Sequence, residues 1–178
     1  MRKLVEGLLT LARTDSNQME LSRRPMRLDA ALRHAVELME QLAVCKNLQV
    51  IAEIEDALDC VADEERLHQL FLIVLDNAIK YTPEHGRISV TCKKLAGSAQ
   101  IAIADTGIGI PEQDLPYVFE RFYRSDKTRS REQGGIGLGL AIAKWITERH
   151  GGQIRIESRS GSGTTVLIEL PLGGKIPI

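Results

Sequence analysis

Nothing in these 178 residues is apolar for long. The longest uninterrupted apolar run, LFLIVL at 70–75, falls far short of the roughly 20 residues that span a bilayer. The apolar N-terminal stretch is broken by Glu6, Arg13 and Asp15, so no secretory leader is expected. Excess charge is equally absent. With 23 Lys and Arg against 24 Asp and Glu, the net charge of −1 leaves no overall field to draw nucleic acid or acidic lipid. Cysteine is sparse: Cys45, Cys60 and Cys92 are odd in number and without metal-ligand spacing. That suggests structural thiols in a reducing compartment. The histidines, His34, His68, His85 and His150, do not cluster. No Gly-Lys-Ser/Thr occurs, which removes a Walker phosphate loop. What remains has the composition of a soluble, cytosolic globular chain, 43% hydrophobic and 26% charged, with room for one domain and a short appendage.

The periodicity predicts a run of helices and strands. Residues 2–14 carry a wide apolar stripe (Leu4, Val5, Leu8, Leu9, Leu11, Ala12) that needs a partner, because a lone helix of this length is marginal in water. The polar stretch 14–25, with its proline, reads as a linker. Asp29 reads as the N-cap of a helix to about Lys46, with Leu32, Ala35, Val36, Met39, Leu42 and Ala43 at helical spacing. QVIAEIE (49–55) alternates as a strand, and a short second strand is expected around 58–62. Asp63 then caps a longer helix whose stripe is Leu67, Leu70, Phe71, Val74, Leu75, Ala78 and Ile79. Strands at 87–94 and 98–105 meet at Ala96–Gly97. An irregular region, 106–134, precedes a helix at 137–150 with core positions Leu138, Ala141, Ile142, Trp145 and Ile146. Strands at 153–159 and 163–170 close the chain. The expected fold is α+β: a two-layer sandwich with helices on one face of a mixed, mostly antiparallel sheet, plus the N-terminal helical segment.

Three segments carry chemistry: DNAIKYTP (76–83), DTGIGIP (105–111) and GGIGLGLAIAKWI (134–146). Each alone has an ordinary explanation, as a helix end, a strand-ending turn or a hinge. Asn77 could lend an amide oxygen to Mg²⁺, a hard cation that keeps several waters and takes substrate phosphates as further ligands. Lys80 could neutralise phosphate charge and Tyr81 could cover the ribose or phosphates. The Asp105 carboxylate could accept from the exocyclic amine of adenine, where guanine would present a repelled carbonyl. Gly107 and Gly109 would let backbone approach a flat base. Gly134, Gly135, Gly137 and Gly139 precede or open a helix, whose N-terminus suits phosphate. Between the last two segments, FERFYRSDKTRSRE (119–132) mixes Arg121, Arg124, Lys127, Arg129 and Arg131 with Phe119, Phe122 and Tyr123. That mixture reads as a lid with aromatic anchors and phosphate-facing cations.

In this order the segments resemble the catalytic, ATP-binding domain of bacterial two-component sensor histidine kinases, of the Bergerat (GHKL) superfamily. DNAIKYTP looks like the asparagine box, DTGIGIP the first glycine box, FERFYR the phenylalanine box and GGIGLGLAIAKWITERHGG the second glycine box. GSGTTVLIELP (161–171) is similar to the closing strand. The resemblance implies residues 1–17 as the end of a dimerisation helix, 18–27 as a linker, 28–173 as the ATP-binding domain and 174–178 as a tail. It also implies transfer of the ATP γ-phosphoryl to a histidine on a dimerisation domain, then to a response regulator receiver domain, within a membrane-anchored homodimeric parent whose catalytic domain faces the cytoplasm. By carry-over, Asn77 holds Mg²⁺. Asp105 meets the adenine amine, and Gly107 and Gly109 form the base pocket. Gly135, Gly137 and Leu138 shape the phosphate-side lid, Lys80, Tyr81, Ile110, Phe119, Gly139 and Thr164 also bind the nucleotide, and Arg124 with Lys80 assists transfer.

Two departures from the pattern bear on function. No histidine here sits in a His-Glu-x-x-x-Pro context, so the chain is not expected to accept its own phosphoryl. Ile73 stands where hydrolysing relatives place a glutamate that activates water and where many kinases place a second asparagine. It can do neither, which favours transfer over hydrolysis and leaves Asn77 with less help at the metal. The alternatives are a stand-alone serine kinase or anti-sigma regulator of the same fold, which the 2–14 stripe opposes, and an ATP-hydrolysing clamp, which Ile73 opposes.

Overall fold

The computed structural model describes residues 20–124 and 137–173. The predicted helix at 2–14, Gly134 and Gly135 lie outside the described residues. The order is β1 (Arg24–Arg27), α1 (Leu28–Cys45), β2 (Gln49–Ile54), β3 (Asp59–Ala62), α2 (Glu64–Tyr81), β4 (Arg87–Leu95), β5 (Ser98–Asp105), a 3₁₀ helix (Glu112–Tyr117), α3 (Gly139–Arg149), β6 (Gln153–Ser158) and β7 (Thr164–Pro171). Five strands form one sheet in the order β2-β4-β5-β7-β6, while β1 and β3 make a separate two-stranded ladder. Only β2 runs parallel to its neighbour, β4; the other pairs of the sheet are antiparallel. The β4–β5 hairpin turns on Ala96 and Gly97, both at positive φ, the geometry that matches strand twist.

One face of the sheet is apolar. Ile88, Val90 and Cys92 of β4, Ala99, Ile101 and Ile103 of β5, and Val166, Ile168 and Leu170 of β7 are all buried, at the period of two that strands impose. The α2 stripe is buried at every position the periodicity names, from Leu67 to Ile79. α3 departs from expectation. Ala143 and Thr147 are buried, whereas Ala141 and Trp145 are only half-buried, so the helix is rotated toward its neighbours relative to the sequence pattern. On α1, Leu42 is 54% exposed rather than in the core.

Two local readings need correction. Arg24–Arg27, expected within a linker, is a strand paired with β3, because its backbone finds a ladder partner in 59–62. Asp29 is not the α1 cap. The cap position is Arg27, and Asp29 sits buried inside the first turn. Its Oδ1 accepts from the Leu58 amide at 3.0 Å, and the Arg27 guanidinium donates to both carboxylate oxygens at 3.0 and 2.7 Å. The hydrogen-bonded guanidinium holds the Asp29 carboxyl below its usual range. Asp63, by contrast, caps α2 as expected, its Oδ1 accepting from the Arg66 amide at 3.1 Å.

The ends of α2 and α3 are tied together away from the motif segments. Asp63 Oδ2 accepts from the Ser22 amide at 2.9 Å, and Arg23 Nη2 donates to the Arg149 carbonyl at 2.6 Å. His150, buried, accepts the Asp63 amide at Nε2 (3.0 Å) and lies 2.8 Å by Nδ1 from the Ile146 carbonyl. A carbonyl can only accept, so the proton is on Nδ1 and the ring is neutral. Burial pushes the imidazole pKa below its ordinary 6.5, and the Arg23 charge pushes the same way against Asp63. A depressed histidine favours the fold while neutral. Its contribution is therefore present above pH 6.5 and is lost as pH falls toward the folded-state value. Thermal melts should show Tm dropping on acidification through that window, and His150→Gln should lower Tm at pH 7.5 and flatten the histidine part of the slope.

Candidate functional site

The site begins with the second face of α2. Ile73, Asn77, Lys80 and Tyr81 recur at helical spacing beside the core stripe and are all half-buried. Lys46, from just beyond α1, donates through Nζ to the carbonyls of Ile79 (2.8 Å) and Lys80 (2.9 Å). A cation thus serves carbonyls that a helix end leaves unpaired. Thr82 leaves the helix in an extended conformation ahead of Pro83 while its hydroxyl donates to Ala78 O at 2.6 Å. The last turn carrying Lys80 and Tyr81 is thereby fixed. Lys80 Nζ lies 4.9 Å from the Tyr81 ring centroid. Among the described residues the Asn77 amide has no hydrogen-bond partner, although it is half-buried.

Asp105 ends β5 and is the ladder partner of Thr164 at the start of β7. Its Oδ1 accepts from the Gly107 amide at 2.8 Å and the Thr164 amide at 3.3 Å. Burial raises its pKa, and these two amides pull the other way. The loop that follows is bound on both sides. The Ile108 amide donates to Tyr81 O at 3.1 Å, its carbonyl accepts from the Gly161 amide at 2.7 Å, and the Ile110 amide donates to Ser158 Oγ at 2.8 Å. Asn77, Lys80, Tyr81, Asp105, Gly107, Gly109, Ile110 and Thr164 are therefore connected through three chain segments.

The glycines have a reason the sequence did not disclose. Apart from any role beside a base, Gly107 and Gly109 are required by the protein's own backbone. A Cβ on Gly107 would lie 2.5 Å from Tyr81 O, and one on Gly109, at φ +67°, would lie 2.0 Å from Arg159 O. Gly163 approaches Asp105 as closely, with 1.9 Å from a Cβ to its carbonyl oxygen. Ser158 and Gly163 are the site residues that sequence reading missed. The only signal was their place at either end of the turn preceding Thr164.

The second glycine segment reaches the site from α3. Gly137 O accepts from the Phe122 amide at 2.9 Å, so the phenylalanine-rich segment and the start of α3 meet. Ile73 Cγ2 is 3.2 Å from where a Cβ on Gly139 would stand. Ile73 thus joins α2, one turn before Asn77, to the head of α3. Leu138 is buried in the core, 4% exposed, and supports this corner from within. Phe119 is half-buried, with Lys144 Nζ 5.7 Å from its ring centroid. Tyr123 donates from its hydroxyl to Asp114 at 2.8 Å, and half-buried Arg124 follows it. A cavity of about 310 Å³ between α1 and α2, lined by Ala31, His34, Glu64, Glu65 and His68, contains none of these residues.

Residues 62–174 match the model of the histidine kinase-, DNA gyrase B-, and HSP90-like ATPase family. The chain belongs to that family. Within it, its relatives are sensor histidine kinases. Sensor histidine kinase YkoH of Bacillus subtilis (strain 168) is 38% identical over 169 residues, covering 95% of this chain and 36% of its own length. Among solved structures, the mycobacterial sensor histidine kinase MprB is 31% identical at a TM-score of 0.73, over 84% of this chain and 97% of that one. Full-length ShkA, solved in complex with AMPPNP, is 30% identical at a TM-score of 0.85, over 98% of this chain and 36% of that one. The chain thus spans about a third of the length of the curated relatives it matches. It is an ATP-binding catalytic domain of the sensor histidine kinase type.

Within this histidine kinase domain the Asp105 corner rests on backbone-to-backbone contact, so adding one methyl there tests it. Gly109→Ala forces positive φ and a collision with the Arg159 carbonyl. It should cost about 1–3 kcal/mol of stability in denaturant titration. Gly97→Ala, at positive φ in open space, should cost less.

Proposed function

We propose that this domain binds Mg-ATP at the corner between Asn77, Asp105 and the head of α3, and delivers the γ-phosphoryl to a histidine of a dimerisation domain, for relay to a response regulator receiver domain. The observation that carries the reading is Asp105. Its carboxylate is held through Oδ1 by two backbone amides at the end of β5, where the first glycine loop, the α2 terminus and Thr164 converge. A carboxylate fixed in this way suits the exocyclic amine of adenine and rejects a carbonyl. The AMPPNP bound by ShkA supports the same ligand class.

The donor chemistry suits magnesium rather than a soft metal. Among the described residues no group of three His, Cys, Asp or Glu could hold an ion. A half-buried, unpartnered amide such as that of Asn77 would supply one hard oxygen, leaving water and phosphate to fill the other positions. Magnesium there would shield the negative charge on the transferring phosphate. Lys80 stands one helical turn on to meet phosphate charge, and Arg124 is the cation of the phenylalanine-rich segment that would assist transfer at the γ-phosphate. Gly137 and Gly139 bring the head of α3 to this corner, where a helix start suits phosphate, while Tyr81, Ile110 and Phe119 supply flat or apolar cover.

Transfer breaks the bond from the γ-phosphorus to the bridging oxygen, ADP leaves with that electron pair, and an imidazole nitrogen of the partner domain forms the new bond to phosphorus. Ile73 bears on the outcome. Its side chain is committed to the α2–α3 contact and offers no carboxylate to activate water, which favours transfer over hydrolysis. No described helix is long and apolar enough to cross a membrane. A membrane-anchored, homodimeric parent with this domain on its cytoplasmic side fits the relatives, which are about three times as long as the matched region.

Calorimetry with Mg-AMPPNP tests the site. Asp105→Asn should weaken binding about 10- to 100-fold, the worth of a hydrogen bond to a charged group, and Asn77→Ala should abolish the dependence of affinity on magnesium. Unchanged binding in both variants would remove the site. Because the Asp105 pKa is raised and binding requires its ionised form, wild-type affinity should start to fall at a pH above the ordinary 3.8 of an aspartate, and Asp105→Asn should lose that part of the profile. The activity is read by mixing the domain with labelled ATP and a separately supplied dimerisation domain of a related kinase. Acid-labile phosphohistidine on the acceptor is expected, with little phosphate released to water. Rapid hydrolysis without transfer would favour the clamp instead.

A further inference from the structure

Asp105, Thr164 and Ser158 are ladder partners in a row across β5, β7 and β6. Directly opposed residues share a face of the sheet, so the three stand side by side, one step along from Ile103, Val166 and Ile156. Ser158 is the member of this row that no sequence motif singled out.

Its hydroxyl has three neighbours. The Ile110 amide donates to Oγ at 2.8 Å, the Gly163 carbonyl lies 2.7 Å away, and Thr164 Oγ1 lies 2.8 Å away. The directions of these bonds follow from chemistry. An amide can only donate and a carbonyl can only accept, while a serine hydroxyl owns a single proton. That proton goes to Gly163 O, so Thr164 must donate in the Ser158–Thr164 contact. The only proton of the Thr164 hydroxyl is thereby spent, and toward any other group Thr164 Oγ1 can act solely as an acceptor. Without Ser158, the same hydroxyl could rotate and donate.

We propose that Ser158 is a specificity-determining positioning residue: it holds the Thr164 hydroxyl as an obligate acceptor beside the Asp105 carboxylate, so that this corner reads only donors and excludes 6-oxopurines. The inference rests on the reading of Asp105 as the base-recognising carboxylate. Adenine offers an exocyclic amine with two protons to such a corner, directly or through a water. Guanine and hypoxanthine offer a carbonyl oxygen that would meet two groups unable to donate. A site with buried polar groups discriminates strongly against a ligand that leaves them unpaired. The same serine also secures the first glycine loop through the Ile110 amide, so adenine affinity depends on it as well.

The test compares affinities for Mg-AMPPNP and Mg-GMPPNP by calorimetry, at a temperature where melting curves confirm folding. In Ser158→Ala, adenine binding should weaken about 3- to 10-fold while guanine binding holds or tightens, so the selectivity ratio falls by an order of magnitude. Ser158→Thr, which keeps the hydroxyl, should restore the ratio. Thr164→Val should lower it too, and in that background Ser158→Ala should have no further effect on it, as expected of residues acting through one another. If Ser158→Ala does not fold, the Ser158→Thr and Thr164→Val ratios decide. Equal weakening of both nucleotides by Ser158→Ala, or additive effects with Thr164→Val, would overturn the role of Ser158 while leaving the adenine site intact. Failure of Asp105→Asn to alter adenine affinity would instead bring down the site reading on which it rests.

Discussion

The register between β5 and β7 is the constraint on which the remainder hangs. It pairs Asp105 with Thr164, Ile103 with Val166 and Ile101 with Ile168. The apolar pairs bury one face of the sheet, and a slip of a single residue would turn that face to solvent. Burial thus enforces a register that hydrogen bonding alone would leave open. The polar pair is carried along with it. Asp105 meets the Thr164 amide because three apolar residues further down each strand must meet the helices. Packing energy positions a charge it does not touch.

The half-buried charge is then compensated by backbone amides. Gly163 and Gly107 let main chain come within contact of Asp105 and Tyr81, and the 105–110 loop gains bonds to the end of α2 on one side and to the β6–β7 turn on the other. A half-buried carboxylate held by amides needs no conformational search to present its acceptors to a ligand, which is how preorganisation lowers the cost of binding. α2 contributes by having two faces with different duties. One face, Leu67 to Ile79, is part of the core, and the other, Ile73 to Tyr81, borders the site. Ile73 belongs partly to both, since a position that could have carried a ligand instead packs against the head of α3.

Much of this was legible before any coordinates. The α2 stripe, the Asp63 cap, the β4–β5 hairpin and the two-layer fold follow from local periodicity, and the meeting of Tyr81 and Thr164 with the Asp105 segment follows from motifs whose order carries the information. Other features were hidden. Arg24–Arg27 has no strand pattern of its own and became a strand because 59–62 offered a ladder. Asp29 has the residue type of a cap but was drawn into the fold by Arg27 and the Leu58 amide. Trp145 and Ala141 fit a core stripe on paper, yet α3 turned Ala143 and Thr147 inward.

The division has one physical basis. Residue spacing along the chain decides which faces of each helix and strand are apolar, and so which elements form and roughly how they layer. It also decided that an amide, a carboxylate and a glycine-rich helix start would follow one another in that order. What lies opposite a given residue is a property of contacts between distant segments. Only the tertiary structure could reveal that the glycines yield to the Tyr81 and Arg159 carbonyls, or that Ser158 dictates which way the Thr164 hydroxyl points. Hydrogen-bond direction depends on every neighbour at once, and those neighbours come from three separate stretches of chain.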